Sequence, residues 1–335
     1  MFSNKKVIRF FSQTIAALLG IAIGVALGWL AIRGAEWAAV KESLRSVSLA
    51  TLMLALLIAL LSSWIRAMRW RFTWASASVS TFRLFQVENA ALGINNISPI
   101  RMWDEMASLG MLVIRDKLPA TTVVATIVMT RAQDLVFTLC FVGLAILIAP
   151  ELTEFARPLA FMSVFVFITL IVVLNWGKVV RRIPLLKRLP GVTSFGEAID
   201  TLWAKKRRLA FTFCLTATYW LILGPAAFFI GRGMGIELSV FQFTLIALGS
   251  IFFATATPSL PGAVGSFEFA AVSLLSLWDV PKETAIGFAV LLHLILFLPP
   301  VFIAIIVLPR EGIASISAWK QRARNLQKVK SSDLE

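Results

Sequence analysis

The chain has 335 residues, of which 59% are hydrophobic and only 15% are charged. Soluble domains carry roughly 25% charged residues, so this composition excludes an ordinary soluble protein and predicts an all-α, multi-pass membrane protein. The formal net charge is +14, but the basic residues fall in short segments beside apolar runs, which is the positive-inside pattern. We therefore expect anionic lipid headgroups as partners at the cytoplasmic face, and no nucleic acid.

Residue counts also bear on metal and redox chemistry. The chain has two cysteines and one histidine, and both cysteines, Cys140 and Cys214, lie inside apolar runs. These are too few for a disulfide framework or for a metal cluster built from cysteine and histidine. The sequence also has no nucleotide-binding P-loop motif. We expect neither a metal nor a cofactor, and we favour transport over catalysis.

Eight apolar runs are candidates for membrane spans. They cover residues 13–32, 47–65, 119–149, 158–175, 210–231, 241–257, 266–278 and 284–307. The first run follows basic residues as in a signal peptide, but it is longer than a usual signal core, so we interpret it as a retained span.

The basic residues indicate the orientation. They are dense in 176–209 and after residue 309, which predicts eight crossings with both termini in the cytoplasm. We expect a multi-pass protein of a prokaryotic plasma membrane. Residues 1–309 would form one helical membrane domain, and 310–335 a basic cytoplasmic tail.

The region 84–117 is apolar but interrupted by polar residues. Asn95 and Asn96 lie near its middle, before Ser98-Pro99, a pair typical of a helix start. Two short helices that meet at 95–99 would form a re-entrant hairpin, and an amphipathic helix on the membrane surface is the alternative. The charged residues of this region include Glu88, Arg101, Asp104 and Glu105.

A second interruption, at residues 255–268, is the most informative feature of the chain. Its prolines remove amide donors and its glycines loosen the backbone, so a continuous helix is not expected. Inside a membrane, broken backbone is tolerated only where protein covers it or where it lines a water-filled cavity. The sequence therefore predicts a functional site here. One broken segment in each half of the chain is also what an inverted repeat would produce.

Two residues of this segment have expected roles. Ser266 is predicted to cap the half-helix that follows Gly265, leaving free amide donors directed at an anion. Glu268 lies in the first turn of that helix, where a carboxylate is favourable. Its role could be purely structural, or it could contact a headgroup or couple to a proton.

Further charged residues lie within or beside apolar runs. Arg131 and Asp134 are three apart on one helix and could neutralise each other as a structural pair. Alternatively, Arg131 could bind phosphate, because a guanidinium pairs with it bidentately. His293 could be a hydrogen-bonded residue of the bundle or a proton relay. Arg66, Arg69 and Arg71 are expected to be anchors at the lipid headgroups.

Four motifs resemble those of a known family. They are Arg66-x-x-Arg69-Trp70, Asn96-Ile-Ser-Pro99-Ile-Arg101, Arg131-Ala-Gln-Asp134 and Pro261-Gly-Ala-Val-Gly-Ser-Phe-Glu268. Over about residues 60–308, their order is similar to that in lysylphosphatidylglycerol synthase transmembrane-region proteins, also called flippase-like integral membrane proteins. The chain departs from that pattern at Trp103, Asp104 and Ala107, and it has His293 where the family usually has an arginine.

The resemblance implies a protein that moves lipids or lipid-linked molecules between leaflets. In the members that aminoacylate lipids, a soluble aminoacyl-transferase domain follows this region, and we expect only the translocating part here. A lipid-synthesis enzyme is an expected partner. The alternative functions are an integral-membrane enzyme that modifies a lipid headgroup and a proton-coupled small-solute carrier.

Carrying a charged headgroup through hydrocarbon requires a polar groove with cations and helix N-termini. The residues expected to contact the headgroup are Asn95, Asn96, Arg101, Arg131, Gly262, Gly265, Ser266 and Glu268. The residues expected to balance charge or to couple to protons are Asp104, Glu105, Asp134 and His293.

Overall fold

The computed structural model describes residues 3–74, 79–98, 103–148, 192–257 and 259–311, with a few single residues between 164 and 182. All regular structure in these ranges is helical. The helices of the first half are α1 (Ser3–Ile32), α2 (Trp37–Ser46), α3 (Leu49–Thr73), α4 (Thr81–Ile97), α5 (Trp103–Gly110), which continues as a π-helical turn (Met111–Arg115), and α6 (Ala120–Ile148). Those of the second half are α7 (Val192–Ala204), α8 (Lys206–Leu221), α9 (Leu223–Gly233), α10 (Val240–Ala256), a 3₁₀ turn (Pro261–Ala263), α11 (Ser266–Ser276) and α12 (Lys282–Arg310).

The described helices confirm a multi-pass membrane protein. Four segments are long and apolar enough to cross a bilayer: α3, α6, α8 together with α9, and α12. The pair formed by α1 and α2, bent by 86°, would be a fifth. The predicted number of eight crossings is not confirmed. Run 158–175 lies almost wholly outside the described residues, and 241–257 and 266–278 form the two arms of one hairpin.

Residues 81–98 and 103–115 form the two arms of a hairpin, here called hairpin A, which comprises α4, α5 and the π-helical turn. Its two ends meet, because Arg83 Nε donates to Asp116 Oδ2 at 2.9 Å. Arg83 also bonds Glu311, so the base of hairpin A lies beside the end of α12. Leu84 and Val87 of α4 are fully buried. This supports the hairpin interpretation of 84–117 and not a helix lying on the membrane surface.

Residues 240–276 form hairpin B, which comprises α10, the break at 257–265 and α11. Its arms are antiparallel, because Phe253 contacts Phe269 with ring centroids 6.0 Å apart and a Cβ on Gly249 would lie 2.9 Å from Leu274 Cδ1. The second arm leads by a short turn into the start of α12. Hairpin B therefore has its base at the end of α12 opposite to the base of hairpin A.

The tips of the two hairpins meet beside the middle of α12. Asn96, at the tip of hairpin A, donates from Nδ2 to the carbonyl oxygen of Phe297 at 2.9 Å. A Cβ on Gly262, in the break of hairpin B, would lie 3.3 Å from the carbonyl oxygen of Asn96. Two short helical hairpins that enter from opposite ends and meet halfway are the arrangement an inverted repeat would produce.

Glycine makes the close approach of α4 to α12 possible. A Cβ on Gly93 would lie 2.3 Å from the carbonyl oxygen of Pro300, a distance that no side chain tolerates. Pro299 and Pro300 lie inside α12, where each removes an amide donor and loosens the turn. Hairpin A packs against this turn.

Candidate functional site

The break in hairpin B has a left-handed backbone at three positions. Gly262 has φ of 69° and Gly265 has φ of 87°, and Ala263 between them has φ of 67°. Such angles favour glycine, so the two glycines permit the turn from the 3₁₀ segment into α11. The predicted interruption of the helix is confirmed.

The break lies directly on α1. A Cβ on Gly265 would lie 2.0 Å from the carbonyl oxygen of Gly24, and one on Gly28 would lie 3.3 Å from Gly265 Cα. Glycines spaced by four lie on one face of a helix and let two backbones approach closely in a membrane. The first helix therefore covers one side of the break, as required of irregular backbone at membrane depth.

Glu268 joins the break to α12. One carboxylate oxygen, Oε2, accepts the backbone N–H of Gly265 at 2.7 Å. The other, Oε1, lies 2.5 Å from His293 Nδ1, and His293 Nε2 lies 2.8 Å from the carbonyl oxygen of Gly262. The predicted site residues Gly262, Gly265, Glu268 and His293 are thus brought into one connected cluster.

The environment of this cluster is apolar. The His293 ring lies 4.8 Å from the ring of Phe267 and 4.4 Å from that of Phe297, centroid to centroid. The side chain of His293 is only 9% exposed and that of Glu268 only 17%. Hydrogen bonds and charges in this setting interact more strongly than they would in water.

The predicted capping role of Ser266 is wrong. Gly265 occupies the N-cap position, and Ser266 is the first residue of α11. Ser266 is fully buried and donates from Oγ to the carbonyl oxygen of Ala263 at 3.0 Å. The N–H of the N-cap residue Gly265 donates to Glu268 Oε2, so the acid of the first turn already occupies the amide just before the helix, where an anion was expected.

The tip of hairpin A is described up to Ser98. This residue caps the end of α4, where its N–H donates to the carbonyl oxygen of Ile94 at 2.9 Å, and the helix start predicted after it, at Pro99, falls outside the described ranges. Arg101 and Pro99 lie outside the described residues. Among those that are described, Asn95 has a buried side-chain oxygen, Oδ1, without a hydrogen-bond partner.

Arg131 pairs with hairpin A. Its Nη2 donates to Asp104 Oδ2 and to Glu105 Oε1, each at 2.7 Å. The side chains of Arg131 and Glu105 are 53% and 43% exposed, whereas that of Asp104 is 12% exposed. Arg131 is near the middle of α6, so this cluster of one cation on α6 and two carboxylates on α5 is a polar, accessible surface between two largely apolar helices.

The predicted pair of Arg131 with Asp134 is wrong. Asp134 faces the interior of the bundle, where its Oδ1 accepts from Arg69 Nη1 at 2.6 Å. Tyr219 Oη also donates to this oxygen, as does Trp220 Nε1 at 3.3 Å. Two acids on α5 satisfy Arg131, while an arginine on α3 satisfies Asp134.

The predicted anchoring of Arg66 and Arg69 at lipid headgroups is also wrong. Arg69 is 2% exposed and lies against Asp134 and Tyr219, with its guanidinium carbon 4.9 Å from the Tyr219 ring centroid. Arg66 Nε lies 3.0 Å from Glu88 Oε1. Buried charges in membrane helices require such partners, so these arginines join α3 to α4, α6 and α8.

Sequence reasoning missed an ion cluster at the base of hairpin A. Glu311 has a side chain only 2% exposed and accepts from both Arg83 and Arg115. Burial alone would lower the pKa of Arg83, but its hydrogen bonds to Glu311 and Asp116 outweigh burial and raise that pKa. No local pattern marks this cluster, because Arg83 and Glu311 are 228 residues apart.

In the described part of the chain, no group of three or more His, Cys, Asp or Glu side chains is placed to hold a metal ion. No curated protein matches the chain in sequence. A family model does match, over residues 17–304, and this adds α2 and residues 17–32 of α1 to the region that the four motifs cover. The chain therefore belongs to the family described as the lysylphosphatidylglycerol synthase TM region, the family that its motifs resemble.

Proposed function

We propose that the protein is a lipid translocase, which moves the headgroup of a phospholipid or of a lipid-linked molecule between leaflets while the acyl chains stay in the bilayer. Membership of a family named after lysylphosphatidylglycerol synthase supports a function that concerns membrane lipids. The route would pass between the two hairpins, whose tips meet beside the middle of α12.

One observation carries this proposal. The cluster of Arg131, Asp104 and Glu105 is partly exposed. Arg131 lies about 17 Å from the N-terminal end of α6, because an α-helix rises about 1.5 Å per residue. A hydrocarbon core is about 30 Å thick, so charges at this level are costly unless they face a polar route or a ligand. A purely structural ion pair would be expected to be enclosed, as the pair of Arg69 with Asp134 is.

The chemistry of this cluster fits a lipid headgroup. The guanidinium of Arg131 can bind a phosphate with two hydrogen bonds. The carboxylates of Asp104 and Glu105 can accept hydrogen bonds from hydroxyl or ammonium groups. Asn95, at the tip of hairpin A, would contact the same headgroup, and so would Arg101, which falls outside the described residues.

The distribution of basic residues supports an orientation. The base of hairpin A, the end of α12 and the start of α8 share one face, because Arg208 Nη1 donates to the carbonyl oxygen of Trp74 at 2.9 Å. This face carries Lys205-Lys-Arg-Arg208. By the positive-inside rule it would be the cytoplasmic face of a prokaryotic plasma membrane, with both chain termini on that side.

The experiment that tests the proposal measures leaflet exchange in vesicles. Purified protein is reconstituted with a labelled phospholipid, and a membrane-impermeant reagent reports the fraction of label in the outer leaflet over time. We expect Arg131→Gln to slow exchange at least about 10-fold, because a lost charge-assisted hydrogen bond is worth about 1.5–3 kcal/mol.

A matched control removes a positive charge elsewhere. Arg232 is an exposed arginine at the end of α9, and we expect Arg232→Gln to exchange lipid at the wild-type rate. Equal rates in all three proteins would contradict the role of Arg131. An altered lipid mass after incubation with wild-type protein would indicate a headgroup-modifying enzyme instead, and uptake of a water-soluble substrate without lipid exchange would indicate a solute carrier.

A further inference from the structure

The cluster of Glu268 and His293 has hydrogen bonds whose directions are fixed by chemistry. The carbonyl oxygen of Gly262 can only accept, so His293 Nε2, at 2.8 Å, must carry a hydrogen. The backbone N–H of Gly265 can only donate, so it occupies Glu268 Oε2. One contact remains, between Nδ1 and Oε1 at 2.5 Å.

That remaining contact requires one hydrogen. Without it, a lone pair on Nδ1 would face a carboxylate oxygen, and the two acceptors would repel each other. With it, Glu268 and His293 are either a carboxylate and an imidazolium or a carboxylic acid and a neutral imidazole. Both forms contain the same number of protons and have no net charge, so the pair binds one exchangeable proton.

In the described part of the chain, no neighbouring charged group replaces that proton. Residues 18–32 of α1, all of α10 and the rest of α11 carry no charged residue. The other charged residues of α12 lie at its two ends. Near the level of the cluster, the charged residues of the described helices α3, α4 and α5 are bound in ion pairs of their own. These pairs are Arg66 with Glu88, Arg69 with Asp134, and Asp104 and Glu105 with Arg131. Removing the proton would leave an uncompensated negative charge in an apolar site, which is costly.

We propose that Glu268 and His293 form a one-proton binding site that locks the tip of hairpin B to the middle of α12. Loss of the proton separates the carboxylate from the imidazole, and the tip then keeps only the hydrogen bond from His293 Nε2 to Gly262 as its bond to the histidine. Among the described residues, no other contact ties the Glu268 side chain to α12. The consequence for transport rests on the proposed function, since a more loosely held tip would open the route between the hairpins. Proton binding itself does not depend on transport.

The proton site can be tested directly, because His293 is the only histidine in the chain. With ¹⁵N-labelled histidine in the reconstituted protein, the two ring nitrogens give the only imidazole signals. In wild-type protein we expect Nε2 to be protonated at every pH and Nδ1 to share a proton with Glu268 until it is lost in a single step. An Nε2 signal without hydrogen would overturn the proposal.

Glu268→Gln removes the titrating carboxylate but keeps the hydrogen bonds. The amide oxygen would still accept from Gly265, and the amide nitrogen would donate to Nδ1. We therefore expect the ring to be neutral, with hydrogen on Nε2 alone, at every pH. Glu237→Gln, at an exposed acid remote in sequence, should give the wild-type spectrum. A Glu268→Gln spectrum that titrates as in wild type would overturn the proposal.

Lipid exchange then separates this inference from the proposed function. We expect wild-type exchange to become faster as the pH rises and the proton is lost, and the exchange of Glu268→Gln and of His293→Gln to lose that dependence on pH. If either variant kept the wild-type pH dependence, the lock would be overturned. If wild-type protein exchanged no lipid while the spectra behaved as expected, the translocase proposal would fail and the proton site would stand.

Discussion

Gly262 of hairpin B lies against the carbonyl oxygen of Asn96 of hairpin A. A Cβ on Gly262 would lie 3.3 Å from that oxygen. This contact joins residues from the two halves of the chain at the level of His293 and Phe297. Asn96 bonds the carbonyl oxygen of Phe297 across the contact between hairpin A and α12. His293 bonds the carbonyl oxygen of Gly262 across the contact between α12 and hairpin B. The tips of both hairpins are therefore held against α12 by hydrogen bonds as well as by packing.

The close contact of the break with α1 predicts that Gly265→Ala destabilises the fold. Alanine at this φ of 87° would be strained, and its Cβ would lie 2.0 Å from the Gly24 carbonyl oxygen. Strain of this kind costs about 1–3 kcal/mol, and the clash adds to it. The measurement is the unfolding midpoint of the purified protein in detergent.

Gly235→Ala is the control for Gly265→Ala. Gly235 has a similar φ of 75°, but nothing lies within 4 Å of its Cβ position, so only the backbone strain applies. A larger drop in midpoint for Gly265→Ala than for Gly235→Ala is expected. Equal drops would show that the break does not lie against α1.

The contact of α4 with α12 predicts opposite effects of two helical substitutions. Gly93→Ala would place a Cβ 2.3 Å from the Pro300 carbonyl oxygen and push hairpin A away from α12, which lowers the unfolding midpoint. Gly143→Ala, in α6 with nothing within 4 Å, should raise the midpoint, because alanine favours a helix by up to about 1 kcal/mol over glycine. An unchanged unfolding midpoint for Gly93→Ala would contradict the close packing of hairpin A against α12.

The partners of Asp134 are tested by double-mutant cycles on the free energy of unfolding. We expect a coupling of about 1–3 kcal/mol between Arg69→Met and Asp134→Asn, because these residues are in buried contact. The cycle of Arg131→Met with Asp134→Asn should give less than about 0.5 kcal/mol, since neighbours on a helix surface couple weakly. A larger coupling energy for Arg131 with Asp134 than for Arg69 with Asp134 would show that Arg131 is the partner of Asp134.

The ion cluster at the base of hairpin A predicts unequal effects of its two acids. Glu311→Gln removes the buried carboxylate that accepts from both Arg83 and Arg115 and should cost about 1.5–3 kcal/mol. Asp116→Asn affects a side chain that is 24% exposed and should cost about 1 kcal/mol or less. Thermal unfolding of both variants at one pH makes the comparison. A larger effect of Asp116→Asn would mean that Glu311 does not hold the base of hairpin A to the end of α12.

The charge of Arg83 should persist over the usable pH range. Its pKa is raised in the folded protein, so its contribution to stability is fully present below the pKa of the unfolded chain and is lost only as the pH rises through the higher pKa of the folded protein. The stability that Arg83 contributes should therefore be constant between about pH 6 and pH 9. Arg83→Lys measured across that range checks this, and a growing difference from wild type near neutral pH would contradict it.

The break and hairpin A were predictable because their signals are local. Proline and glycine act on the backbone at their own position, so Pro261, Gly262 and Gly265 marked the interruption without knowledge of the fold. The same holds for the polar residues Asn95 and Asn96 between two apolar runs. Membership of the family could also be read from short motifs in a fixed order.

The partners of the charged residues were not predictable, because they depend on tertiary contacts. Asp134 has a neighbour of opposite charge three residues away, yet it bonds Arg69 and Tyr219, which are 65 and 85 residues away. Arg131 bonds residues 26 and 27 positions before it. The prediction that Ser266 caps α11 failed for another reason. Gly265, at positive φ, takes the N-cap position one residue earlier, and Glu268 accepts the N–H of Gly265.

The most direct test of the two-hairpin arrangement is the depth of the tip of hairpin B in a lipid bilayer. A fluorophore attached to Val264→Cys, with Cys140 and Cys214 replaced by serine, is quenched by lipids brominated at different acyl positions. Val264 is 47% exposed and therefore open to labelling. Leu294→Cys, beside His293, and Leu277→Cys, at the base of hairpin B, provide the two reference depths. Strongest quenching at the same acyl position as for Leu294→Cys is expected, whereas strongest quenching near the headgroups, as for Leu277→Cys, would show that the break lies outside the membrane interior.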